Sequence, residues 1–298
     1  MPMPNHTTVV IVNYNAGDRL LTCMRSIFES GQQPEIVVVD NASRDGSLEK
    51  CRRAYPKLNY IVHSHNLGFA TGVNVGIRYA LEKGAEVVVL MNPDATIEKK
   101  SLHTLVQTCK REDVGIAVPI IYHTKTKEIW FSGGFISFGR QRATHQTSAP
   151  VSKALIDTQY ATGCVMAIHR DVFRQVGLFD EQFFLYYEDA DLSLRVRANG
   201  QRVVVVPEAL AWHSEDSQKE QNKPQKVYFL VFCGLLFFDK HTTGMMRLWM
   251  RLFMIIRRIR SDIRSLFGGD DVTRAVKKAF NDYDDTRKKT NPHIVPYR

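Results

Sequence analysis

The sequence has no closely spaced pair of cysteines: Cys23, Cys51, Cys109, Cys164 and Cys233 are scattered over 298 residues. That distribution speaks against a disulfide framework or a zinc site and suits a reducing compartment. No uncharged apolar run reaches the roughly 18 residues of a membrane span. The N-terminus passes almost directly into a strand-like segment, with no basic-then-apolar leader, so no signal peptide is expected. Internal repeats and long low-complexity segments are missing. So is the fingerprint of nicotinamide dehydrogenases, in which two glycines stand two residues apart after the first strand.

What is present is an ordinary globular composition, 44% hydrophobic and 24% charged, with a less ordinary formal charge of +9. Such an excess suits an anionic partner: nucleic acid, a phosphorylated substrate or an acidic lipid surface. The first hundred residues alternate short apolar runs, polar turns and helical segments. Thr8–Val12 ends on Asn13-Tyr14-Asn15, Ile36–Val39 on Asp40-Asn41-Ala42-Ser43, and Glu86–Leu90 on Asn92-Pro93-Asp94. Apolar runs without alternation are strands buried on both faces, which predicts an α/β fold with a mostly parallel sheet. A helix is expected from Asp18, a plausible N-cap, to about Ser30. Further on, the pattern predicts a strand or hairpin over 129–137, a polar loop over 140–157, strands over 160–169 and 202–206, and a helix over 189–199. The tail from Gly268 is charged and expected to be loosely ordered.

Ligands of such sheets bind outside the carboxyl ends of the strands, where Asp40 and Asp94 fall. Asp and Asn also close strands simply because they suit turns. Asp94 could offer a hard oxygen ligand to Mg²⁺ or Mn²⁺. In Tyr186-Tyr187-Glu188-Asp189-Ala190-Asp191, three carboxylates crowd into four positions beside an aromatic stretch. Crowding of this kind marks proton transfer or metal binding, or else an acidic helix N-terminus in which Asp191 pairs with Arg195. His213 qualifies as a metal ligand only where the fold brings it to Asp94. The glycines at 68, 72 and 76 fit either close backbone approach to a ligand or packing of a helix on the sheet.

Taken in order, these segments carry a family likeness. Val10-Ile11-Val12-Asn13-Tyr14-Asn15, Val39-Asp40-Asn41-Ala42-Ser43-Arg44-Asp45-Gly46-Ser47 and Asn66-Leu67-Gly68-Phe69 with Asn74 and Gly76 come first. Asn92-Pro93-Asp94, Thr162-Gly163, Gly177-Leu178-Phe179-Asp180, Glu188-Asp189 and Trp212-His213 follow. The chain resembles family 2 glycosyltransferases of the GT-A fold, in the rhamnosyltransferase-like branch, from about Thr8 to about Ser214. The resemblance implies a Rossmann-like sheet flanked by helices and an inverting, metal-dependent sugar transfer from a nucleotide diphosphate. It makes Asp189 the catalytic base with Glu188 beside it, and Asp94 and His213 the ligands of Mg²⁺ or Mn²⁺. On the donor side it places Asn13, Asn15, Asp40, Asn41, Asn66, Gly68, Asn74, Asn92 and Gly163. Thymidine-diphosphate-rhamnose is the expected donor, and the acceptor a glycan or polyprenyl-diphosphate-linked saccharide of surface-polysaccharide synthesis. A non-catalytic nucleotide-sugar-binding protein, or a membrane- or nucleic-acid-binding one, is the alternative.

The sequence predicts a catalytic domain over 1–226 and a helical extension over 227–298. Val227–Phe238 is too short to span a bilayer. Beyond it, Leu248, Leu252, Ile255, Ile259 and Ile263 keep helical spacing, while Arg247, Arg251, Arg258 and Arg264 lie largely elsewhere and Arg257 and Arg260 add charge. A basic amphipathic helix suits an anionic membrane surface, here the cytoplasmic face; a helix packed on the catalytic domain or a homodimer contact is the competing reading. No nucleic-acid motif accompanies the arginines, which speaks against nucleic acid as the partner. Where relatives of this branch commonly carry Arg-Asn, this chain has Phe232-Cys233-Gly234, which weakens the expectation of a lipid-linked acceptor.

Overall fold

The first apolar run forms β1 (Thr7–Asn13), in which Val9, Val10 and Ile11 are at most 1% exposed. Successive strand residues point to opposite faces, so both faces of β1 are covered. Helix α1 (Arg19–Glu29) buries Leu20, Cys23, Met24 and Ile27 at helical spacing. Asp18 precedes it as expected but caps nothing; its carboxylate accepts from Lys50 Nζ at 2.6 Å. The chain continues through β2 (Glu35–Asp40), α2 (Ser47–Ala54), β3 (Asn59–Val62), α3 (Phe69–Glu82), β4 (Val87–Met91), β5 (Ala95–Ile97), α4 (Ser101–Cys109) and β6 (Val114–His123). Then come β7 (Ile129–Phe131), β8 (Gly134–Ser137), β9 (Arg142–His145), β10 (Ile156–Asp157), β11 (Val165–His169), α5 (Arg170–Val176), α6 (Glu188–Ala198) and β12 (Arg202–His213).

These coordinates are those of a computed structural model that describes residues 6–214, 223–266, 268 and 270–289, without the side chains of 264–266 and 289. The chain divides into two units: Met1–Ile136, Ala143–Phe184 and Glu188–Glu215 form one, and Ser137–Arg142, Leu185–Tyr187 and the described residues from 223 form the other.

In the first unit the main sheet runs β10-β12-β6-β11-β4-β1-β2-β3, with β5 added to β12 and β7 to β6. The β4-β1-β2-β3 half is parallel throughout, as is β6 with β12, whereas β11 runs antiparallel to both its neighbours. The α/β class and mostly parallel sheet therefore agree with the sequence pattern. Several elements do not. The sequence pattern passes over β3, β5 and β6, and the polar 140–157 stretch holds β9 and β10. The 129–137 segment is two strands, β7 and β8, with Ser132 and Gly133 between them. The strand expected over 202–206 runs on to His213. Its register slips between Val206 and Leu210, at a point where Pro207 has no N–H to give.

The second unit holds three helices: α7 (Pro224–Lys240), α8 (Gly244–Leu266) and α9 (Asp271–Lys289). The last corrects the expectation of a loosely ordered tail. Among its many charges, Ala279, Phe280 and Tyr283 fall at helical spacing and are buried, and Asp282 accepts from Tyr228 Oη of α7 at 2.7 Å. Phe232-Cys233-Gly234 lies on α7. Cys233 is fully buried, and a Cβ at Gly234 would come within 3.1 Å of the Tyr187 ring. Tyr187 packs further on Phe237, with ring centroids 5.2 Å apart. Cys233 and Gly234 are thus part of a packing surface.

Candidate active site

Polar residues close the strands at the sheet's carboxyl edge, and the parallel register sets Asn13 of β1 beside Asp40 of β2. Buried Asn13 donates from Nδ2 to Asp40 Oδ1 (2.7 Å), Ser43 Oγ (3.0 Å) and Ser47 Oγ (2.9 Å). Asp40 Oδ2 also accepts the Ser43 N–H at 2.9 Å. Asn15, at φ 53°, accepts the Arg44 N–H at 2.8 Å, and its own N–H donates to Ser43 Oγ at 3.0 Å. Asn41 Nδ2 donates to the Gly68 carbonyl at 2.8 Å. Among the described residues, Oδ1 of Asn13 and Oδ1 of Asn41 are buried acceptors with no donor. Buried acceptors are rarely left so, and the two mark where the packing of this wall gives up hydrogen bonds.

The next segment is braced rather than open. Asn66 Oδ1 accepts the Gly68 N–H at 2.9 Å. Gly68 stands at φ +83°, and a Cβ there would lie 2.5 Å from the Phe184 carbonyl oxygen, so only glycine fits. Along α3 a Cβ at Gly76 would lie 2.2 Å from Val10 Cγ1, so this glycine serves helix-on-sheet packing. Asn74 donates to the Phe179 carbonyl (2.8 Å) and Glu181 Oε1 (2.9 Å) and accepts the Phe179 N–H at 3.0 Å. Its amide clamps the 179–181 loop.

The short β5 explains how distant residues meet. It pairs antiparallel with the end of β12, His213 opposite Ala95, immediately after Asp94. Asp94 Oδ1 consequently lies 3.2 Å from His213 Nε2, which meets the condition the sequence left open. Burial pulls the Asp94 pKa upward, but the hydrogen bond and charge of His213, with the Arg19 charge, outweigh it and hold the carboxyl below its ordinary range. Cys23 is nearby, but burial above all, then the Asp94 charge, raises its thiol far above the usual range and keeps it protonated. Two residues here escape sequence reasoning. Trp130 lays its ring 4.6 Å from that of His213, and nothing in the sequence links them. Arg19 did leave a signal: it opens α1, where the helix dipole disfavours a cation.

Opposite β4, β11 carries Gly163 and Cys164 at its start. The Asn92 N–H donates to the Cys164 carbonyl at 2.8 Å, and the Gly163 N–H donates to Asp189 Oδ2 at 3.0 Å. Asp189 Oδ1 accepts the Ala190 N–H at 2.7 Å. Two adjacent backbone bonds thus join the Asp94 strand end to the Asp189 carboxylate. Burial raises the Asp189 pKa despite these hydrogen bonds. Glu188 is pushed further up, by burial first and then by the Asp189 and Asp191 charges. Its Oε2 has no partner among the described residues. Asp191 is different: fully buried, it accepts from Arg195 Nε at 2.9 Å, and Arg195 also holds the Val176 and Leu178 carbonyls. The helix-pair reading therefore fits Asp191.

Residues 8–177, more than half the chain, match the model of glycosyl transferase family 2. The chain belongs to that family. It is 30% identical to the low-salt glycan biosynthesis hexosyltransferase of Haloferax volcanii, over 65% of this chain and 62% of that one. It is 26% identical to the N-acetylglucosaminyl-diphospho-decaprenol L-rhamnosyltransferase of Mycobacterium tuberculosis, over 69% of this chain and 75% of that one. Among solved structures, GalNAc-T7 with UDP, GalNAc and Mn²⁺ shares the fold, with a TM-score of 0.67 at 18% identity. That match covers 94% of this chain and 54% of the other. This family 2 chain thus spans less than two thirds of the haloarchaeal relative and about half of GalNAc-T7.

A divalent cation suits the donor set. The carboxylate and imidazole that could hold it share a 3.2 Å hydrogen bond, which Nε2 would give up with its proton on binding the ion. Among the described residues no third carboxylate, imidazole or thiolate completes a metal cluster. A cation held by these two residues would take its other ligands from substrate oxygens and water.

Proposed function

We propose that this family 2 chain transfers a sugar, with inversion, from a nucleotide diphosphate to an acceptor hydroxyl. The Asp189 carboxylate carries the reading. It is held by the Gly163 and Ala190 N–H groups, is more basic than an ordinary aspartate, and is linked through Gly163-Cys164 to Asn92, two residues before Asp94. A hydroxyl is a weak nucleophile until a base removes its proton as attack develops. Asp189 takes that proton, the acceptor oxygen attacks the anomeric carbon, and the bond to the diphosphate breaks on the opposite face. A single displacement of this kind needs one carboxylate on the acceptor side. Asp94 and His213 would hold the cation, which offsets charge on the departing diphosphate.

The Asn13–Asp40–Asn41 wall, where the parallel strands β1 and β2 end side by side, receives the nucleoside. Asn15, Asn92 and Gly163 line the donor path, while Asn66, Gly68 and Asn74 brace the loops around it. Thymidine-diphosphate-rhamnose is our reading of the donor, after a relative named as a dTDP-rhamnosyl transferase, and a glycan or polyprenyl-diphosphate-linked saccharide our reading of the acceptor, after the decaprenol-linked rhamnosyltransferase.

Calorimetric titration with thymidine, uridine and guanosine diphosphates, with and without Mn²⁺, tests the reading beside an Asp94→Ala control. Mn²⁺-dependent binding of thymidine diphosphate that the substitution abolishes is the expected outcome. A folded protein that binds none of the three nucleotides would overturn it.

A further inference from the structure

Helix α8 turns a long apolar face outward. Leu248, Trp249, Leu252, Ile255, Ile259 and Ile263 are all exposed, Leu248 by 69%, while Met250, Met254 and Ser261 on the opposite face are buried. Steps of three and four residues align the exposed set in one stripe, about 22 Å long at 1.5 Å per residue. At 100° per residue, Arg247, Arg251 and Arg258 fall along one edge of the stripe and Arg260 along the other, while half-buried Arg257 lies towards the packed face. The helix has six arginines and a single acidic residue, Asp262, which faces Lys277 at 3.5 Å. Arg247 is paired with Asp239, and Arg258 with Asp284 and Asn281. Arg251 and Arg260 are exposed, one on each edge. Among the described residues no carboxylate pairs with either.

We propose that α8 is an in-plane docking helix for a bilayer surface that carries anionic lipid. Its apolar stripe enters the boundary between headgroups and acyl chains, and Arg251 and Arg260 meet lipid phosphates on either side. Charge complementarity selects this occupant. An apolar band with cations on both edges matches an apolar interior bounded everywhere by negative headgroups. A second copy of the same stripe would instead bring arginine rows together. No helix among the described residues is long and apolar enough to cross a membrane, so the contact is one of lying on the surface.

The test is co-sedimentation of the full chain with vesicles of phosphatidylcholine alone and of phosphatidylcholine with phosphatidylglycerol. Binding is expected on the anionic vesicles, weaker on the neutral ones, and reduced by salt. Replacing exposed Ile255 and Ile259 by Glu leaves the packed face untouched and abolishes binding. The Arg251→Gln, Arg260→Gln double variant lowers partition onto anionic vesicles roughly 30-fold and leaves neutral vesicles unaffected. Failure of the folded parent chain to sediment with anionic vesicles would overturn the proposal. So would a dimer in gel filtration that the Glu substitutions dissolve and vesicles do not compete away.

Discussion

The main-chain N–H of Gly163 points at Asp189 Oδ2 from 3.0 Å, and the next residue's carbonyl holds the N–H of Asn92. The carboxylate assigned as base is therefore oriented by main-chain donors, the N–H groups of Gly163 and Ala190. Its neighbour across the Gly163 Cα is the Phe69 ring, 3.1 Å from where a Cβ would stand.

Asp189→Asn preserves shape and removes basicity. Steady-state kinetics should show kcat reduced by about 10²–10⁴-fold, while nucleotide diphosphate affinity by calorimetry stays near that of the parent. A parallel loss of nucleotide affinity would make Asp189 a donor-binding residue instead.

The raised Asp189 pKa also sets a pH dependence. A base must be unprotonated to act, so kcat/KM falls as pH drops through the folded-state pKa. Because burial raises that value, the acid limb should lie above the ordinary 3.8. A pH–rate profile that stays flat down to that value would separate Asp189 from the rate-limiting proton transfer.

Glu188 makes a stability prediction with the opposite appearance. Its folded pKa lies well above 4.5, so between 4.5 and that raised value the folded chain keeps a proton that the unfolded chain has released. Stability contributed by this group is therefore present at low pH and declines as pH rises through that window. Glu188→Gln removes the slope. Thermal melts from acid to neutral pH should show the variant gaining on the parent as pH increases.

Asp191→Ala leaves the Arg195 guanidinium without its buried counter-charge; the two side chains are 0% and 11% exposed. Removing one partner of a buried pair costs about 3–5 kcal/mol, and here it also loosens the Val176 and Leu178 carbonyls that Arg195 holds. Urea unfolding should register the loss.

Gly76→Ala forces a methyl within 2.2 Å of Val10 Cγ1 and pushes α3 off β1. Overpacking of this kind costs about 1–3 kcal/mol. Chemical unfolding of the variant measures it, and unchanged stability would mean that the α3–β1 contact yields easily.

The sequence by itself determined the fold class and the order of the site's parts. Short, β-branched apolar runs such as 8–12 and 36–39, each closed by turn residues, read as strands covered on both sides, which puts the polar residues that end them at one edge of a parallel sheet. It could not show that Asp94 meets His213, because that contact depends on β5, three residues long, pairing with the far end of β12 across a bulge. Nor could it divide the acidic cluster. Asp189 and Asp191 stand two apart on one helix, and only packing turns one towards the Gly163 N–H and the other into a buried pair with Arg195. The charged tail misled for a related reason. Its charges dominate the composition, yet burial of Ala279, Phe280 and Tyr283 decides that it is helix, and local composition cannot register what a neighbouring element will cover. Local pattern is written in the chain, whereas proximity between remote residues is set by strand pairing and packing, which exist only in the folded molecule.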